Sequence, residues 1–235
     1  MDSKTIETEP SITESQISYS EFVLPSNLSS NELIDFIWDN QDALENISRK
    51  ELIGLPWKAQ KEVLINLSLE KRYNLWMEKW RDIEECDFYS VKEKKFIGIF
   101  FNHFEKKHFQ DDPVSLAELK MFSDRWAKRA QSNLGWSFDK IRILGMTFYI
   151  DRSEVLLTHD LVNDPKSESG LKLKSLGEFL RSSSGESGEC NCSRQDPWWC
   201  GSDDCEYSYG SCEINCIPGC GWGLLYCCDG FCQGS

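Results

Sequence analysis

The chain has 235 residues, 40% hydrophobic and 12% aromatic with nine tryptophans, enough apolar material for one large domain or two unequal ones. Its formal net charge of −13 and isoelectric point of about 4.8 argue against nucleic acid and anionic membrane as primary partners, because both require basic patches. No apolar run reaches the length of a bilayer span.

Residues 1–27 read as a flexible N-terminal segment, polar and without periodicity. The opening "MDSKTIETEPSITESQISYSEF" lacks the basic and apolar regions of a secretory signal. Residues 28–162 read as a helical domain. Four Ser-x-x-Glu pairs, Ser29/Glu32, Ser48/Glu51, Ser90/Glu93 and Ser115/Glu118, each have the form of a reciprocal helix cap. Helix-period stripes follow them: Leu33, Phe36, Ile37 and Leu44; then Leu69, Tyr73, Trp76, Trp80 and Ile83; then Val91, Phe96, Phe100 and Phe104 beside Ile97 and Phe101; then Leu116, Leu119, Phe122, Trp126 and Ala130. Pro56 suits the first turn of a helix, and Gly135 suits the end of one. The pattern predicts five to seven short helices over residues 30–147, packed on aromatics. Residues 146–162 fit either a strand or a last helix.

Residues 163–189 read as a linker that ends in "SSSGESGE" at 182–189. Gly185, Gly188 and Glu189 mark the expected processing region. Residues 190–235 then form a cysteine-rich module. One cysteine, Cys86, precedes residue 190, and ten follow: Cys190, Cys192, Cys200, Cys205, Cys212, Cys216, Cys220, Cys227, Cys228 and Cys232.

The helical part offers little for catalysis. His103 and His108 stand five apart, which on one helix does not put them on one face. There is no phosphate-cradling glycine loop, metalloprotease His pair or nucleophile elbow. Cys86 reads as a free or half-buried thiol. No nucleophile, base and orienter come together, so neither an enzyme, a catalytic residue nor a cofactor is expected.

A tail of this size cannot bury enough apolar surface to fold alone without staples or metal. An even number of cysteines suits disulfides, and adjacent Cys227 and Cys228 are expected to bridge to different partners. The tail has no Cys-x2-Cys and no histidine, which disfavours structural zinc without removing it as an alternative. Five serines and no threonine in the tail leave thioether bridging with too few partners. The pairing itself stays open. Trp198, Trp199, Trp222, Leu224, Leu225 and Tyr226 are too many to hide all at once inside so small a module, so some of these candidates are expected to stay exposed as a contact surface toward a target or membrane. Six acids and one base give the tail about −5, so hydrophobic or receptor-directed contact is expected rather than attraction to anionic lipid.

The tail, with "CNCS" at 190–193, "WWC" at 198–200 and "GCGWGLLYCCDGFC" at 219–232, resembles fulvocin C-type bacteriocins. The stretch "LIGLPWKAQKEVLINLSLEKRYNLWMEKW" at 52–80 resembles the helical part of bacteriocin fulvocin C-related proteins. The resemblance covers about 32–145 and 190–232. It implies a precursor: a helical leader or carrier and a disulfide-stapled antibacterial peptide, released by a processing protease and directed at the envelope or membrane of competing bacteria. Secretion or display at the cell surface is then expected, by an unidentified route, with no signal peptide visible. Two alternatives stand beside it. One is a non-toxic secreted or surface binding protein with a disulfide knob. The other is an intracellular metal-binding or redox-responsive protein.

Overall fold

A computed structural model of the chain describes residues 30–110, 112–155, 193, 205–206, 218–228 and 231–232. The fold is mostly α, as the periodicity predicts. Among the described residues, the helices run in order: α1 Ser30–Asp39, α2 Gln41–Leu44, α3 Arg49–Ile53, α4 Trp57–Asn66, α5 Leu69–Glu85, α6 Val91–Phe101, α7 Pro113–Leu134 and α8 Phe138–Met146. Among its described residues, the tail contributes two short antiparallel ribbons. In one, β2 (Pro218–Cys220) pairs with β3 (Tyr226–Cys227); in the other, β1 (Cys205–Glu206) pairs with β4 (Phe231–Cys232), with Cys205 opposite Cys232.

Helix starts follow local chemistry. Ser48 and Ser90 form complete capping boxes with Glu51 and Glu93. Gly135 ends α7 in the left-handed region, with φ +63°. One expectation is corrected. Ser115 does not cap a helix; α7 begins earlier, where Asp112 caps it and Pro113 takes the first position. The Ser115 amide and hydroxyl both donate to the Asp112 carboxylate. The described part of the ambiguous stretch, residues 147–155, takes no strand. Asp151 accepts from the Ser153 and Glu154 amides and starts a further helical turn. Ser29 lies outside the described residues, as do residues 1–27 and the linker at 163–189.

The stripes pack as one core, although Val91 at 86% exposure and Leu69 at 41% fall outside it. Arg49 is buried and holds three parts of the fold together. Its guanidinium pairs with Asp82 of α5 and Glu154, and donates to the Phe148 carbonyl at 2.8 Å. Burial works against its charge, but Glu154 and Asp82 outweigh burial and raise its pKa.

Glu93 joins α6 to the start of α8. It accepts from the Ser90 amide and hydroxyl, from the Trp136 indole and from Lys140 at 2.7 Å. Burial pushes the carboxyl up, but Lys140 and the Ser90 donors outweigh it and hold it at about 2. Because the folded value lies below the ordinary 4.5, the stabilisation is complete above that pH and is lost as pH falls toward 2. Thermal unfolding between pH 5 and 2 should therefore show a steeper loss of stability for the native protein than for Glu93→Gln, which should be less stable at pH 7 and flatter on acidification.

Candidate functional site

The tail segment at 218–228 is set into the helical body. Gly221 has φ +67° and ψ −163°, and Gly223 has φ +66°, conformations that glycine adopts without a steric penalty. They flank Trp222 and turn the chain sharply on both sides of it. A disulfide joins Cys220 to Cys228 and closes the loop. Lys61 of α4 approaches this bridge, with Nζ 3.8 Å from Cys228 Sγ.

Trp222 is fully buried. Its ring lies between Phe100 of α6, at 5.8 Å between centroids, and Trp126 of α7, at 6.3 Å. Its third wall is the backbone of α8 at Gly145. A β-carbon there would stand 2.3 Å from Trp222 Cζ3 and 2.6 Å from Cε3, so only glycine permits the approach. Gly223 also sits close against Phe104, where a β-carbon would lie 2.8 Å from Cζ.

Polar groups fix the loop in register. The Trp222 indole donates to Asp124 Oδ1 at 3.1 Å. The other Asp124 oxygen accepts from Lys120, one turn earlier on α7, at 2.6 Å. The Trp76 indole of α5 donates in the opposite sense, to the Gly223 carbonyl, at 3.1 Å. The Tyr226 hydroxyl donates to the Leu116 carbonyl at 2.7 Å. The Trp222, Trp76 and Tyr226 donors each thus have an acceptor, as burial requires. The seam between loop and body leaves a small void, with room for about one water, lined by Leu64, Trp76, Phe109, Phe148 and Leu224 among others.

The seat depends on where α8 ends. Lys79 of α5 is fully buried, and its ammonium donates to the carbonyls of Ile143, Leu144 and Thr147 at 2.6–2.8 Å. These carbonyls lie at the helix C-terminus, where backbone donors run out, and that of Ile143 also accepts from the Thr147 hydroxyl at 2.9 Å. Burial, with the nearby Arg49 charge, pulls the Lys79 pKa well below the ordinary lysine value. Three acceptors match the three hydrogens of an ammonium, so the protonated side chain is the form that satisfies all of them. Lys79 thereby fixes the turn of helix that carries Gly145.

In the intact chain, four of the six expected contact residues are covered. Trp222, Leu224, Leu225 and Tyr226 are at most 8% exposed. The body supplies the cover that the tail alone lacks. Trp198 and Trp199 lie outside the described residues. Of the cysteines, Cys220 and Cys228 are bridged; Cys205, Cys227 and Cys232 lie on the short strands; and Cys190, Cys192, Cys200, Cys212 and Cys216 fall outside the described residues, as do Gly185, Gly188 and Glu189. Cys86 is a free, half-buried thiol whose Sγ lies 3.3 Å from the Ile83 carbonyl.

The two histidines come closer than a continuous helix would allow. Because α6 ends at Phe101, the chain turns and brings the His103 and His108 rings to 5.7 Å. His108 Nδ1 accepts from the Glu105 amide, which leaves its hydrogen on Nε2. Burial lowers both imidazole pKa values. Among the described residues, no three His, Cys, Asp or Glu side chains are grouped to hold a metal, and no helix is long and apolar enough to cross a membrane. Comparison with protein-family models, curated proteins and solved structures finds no match to this chain.

The fit at Gly145 reverses an ordinary expectation. Replacing a helix-interior glycine by alanine normally stabilises by up to about 1 kcal/mol. Here Gly145→Ala should destabilise by about 1–3 kcal/mol, the cost of overpacking, and Trp222→Ala by about 3–5 kcal/mol. Urea unfolding of both single variants and the double variant tests this: the cost of Gly145→Ala should largely disappear once Trp222 is gone.

Proposed function

We propose that the chain is the precursor of a bacteriocin-like, disulfide-stapled antibacterial peptide, in which the helical region is the carrier and the cysteine-rich tail the effector. The observation that carries this reading is the placement of the tail's most apolar segment. Residues 221–226 would expose a tryptophan, two leucines and a tyrosine on a small free peptide, and in the intact chain all four are covered by the body. An effector that acts through such a surface is inert while the carrier covers it. The distribution of cysteines, one before residue 190 and ten after it, supports the same division, as does the resemblance of the tail to fulvocin C-type bacteriocins. The targets are then the envelopes of competing bacteria, reached after a protease has cut in the 182–189 region and the chain has been exported.

A second reading has its own support. Trp222 fills space that the helical core does not otherwise close, which suits a secreted or surface protein whose tail stays attached for good. Growth inhibition separates the two. The precursor reading expects the oxidised tail, cut from the full chain and separated from the body, to inhibit related bacteria at a concentration at least tenfold below that of the intact chain. No inhibition of any related strain by the separated tail would sink it and leave the retained-tail reading.

A further inference from the structure

We infer that the helical body is a receptor site for the disulfide-closed Gly-Trp-Gly loop of residues 218–228, and that it keeps hold of this loop after the backbone between them is cut. The inference deepens the precursor reading and, for its biological sense, rests on it; the binding itself rests on geometry alone.

The loop has the attributes of a bound ligand. A large aromatic anchor, Trp222, is fully desolvated at the centre of the contact, the position where binding energy concentrates. Walls from three helices, at Phe100, Trp126 and Gly145, enclose it. Among the described residues, hydrogen bonds donated by the loop to Asp124 and Leu116 and by the body from Trp76 cross the contact, beside the approach of Lys61 to Cys228 Sγ. They run in both directions and specify one orientation. The Cys220–Cys228 bridge restricts the loop before it docks, which lowers the entropy lost on binding. The site therefore selects a peptide of defined chemistry: a tight glycine turn on each side of an indole, a following pair of leucines and a tyrosine hydroxyl, closed by a disulfide.

No covalent link other than the backbone is needed to explain retention. The only cysteine before residue 190 is Cys86, and it is free. A cut within 182–189 thus leaves body and tail joined by non-covalent contact only. Two consequences follow for the precursor. Proteolysis would be necessary but insufficient for release, since the apolar loop stays covered until the contact is broken. A body that has lost its own tail would present the emptied site and could capture a free tail, giving the producing cell a neutraliser encoded in the same chain.

The test uses the full chain with a specific protease site substituted for residues 182–189. After complete cleavage without reductant, size-exclusion chromatography at micromolar concentration should give one peak containing both fragments, which then part on a denaturing gel. Elution as two separate peaks would overturn the inference while leaving the precursor reading intact; one peak combined with a tail that inhibits nothing would do the reverse. In the same cleavable chain, Tyr226→Phe should weaken retention about fivefold on dilution, the loss of one hydrogen bond. The double substitution Cys220→Ser/Cys228→Ser should weaken it by roughly tens of fold, since the open loop has more conformational freedom to lose. Retention unchanged in both variants would also overturn the inference, because the fragments would then be held by something other than this loop.

Discussion

The ring of Trp222 rests on the backbone of α8 where residue 145 has no side chain, and the arrangement of the described fold follows from that contact. It fixes the distance between the tail and the body, since the nearest β-carbon position lies 2.3 Å from the indole. It places the indole nitrogen within reach of Asp124 on α7, and it places the Gly223 carbonyl over Trp76 on α5. Four helices, α5 to α8, therefore meet around a residue that comes from the far end of the chain.

Charged side chains inside the body keep this seat in place. Lys79 gathers the carbonyls at the end of α8, and Arg49 ties α3 and α5 to the segment after α8. Both charges are buried, and burying charge is unfavourable unless every hydrogen finds an acceptor. Here the acceptors are the Asp82 and Glu154 carboxylates and main-chain carbonyls at and just after the end of α8. The apolar contact and the polar clamp are mutually dependent: the clamp holds the turn of α8 that carries Gly145, and Gly145 admits the indole.

Much of the helical body is legible in the sequence because its signals are local. The Ser48/Glu51 and Ser90/Glu93 boxes, the left-handed Gly135 and the aromatic stripes each act within a few residues. Ser115/Glu118 misled for an equally local reason: "DPVS" at 112–115 offers a better start, an aspartate cap followed by proline at the first turn. The burial of Lys79 is not legible, because its partners lie more than sixty residues on. The docking of Trp222 is hidden for the same reason. A rule that small modules cannot cover their own apolar residues is sound, but it says nothing of a neighbouring domain that covers them. One local sign existed: Gly145 interrupts the apolar run "IRILGMTF", and a glycine inside a helix is unfavourable unless something packs against it. The site is thus a long-range pairing of two glycine-marked segments, each unremarked when read alone.

The central claim is that the tail loop is part of the body's core in the intact protein. Hydrogen exchange of the Trp222 indole, followed by NMR and assigned by its absence in Trp222→Phe, tests it most directly. A docked indole donating to Asp124 should exchange orders of magnitude more slowly than an exposed one and show nuclear Overhauser contacts to the α-hydrogens of Gly145. Exchange at the rate of a free indole, with no contact to Gly145, would contradict the account.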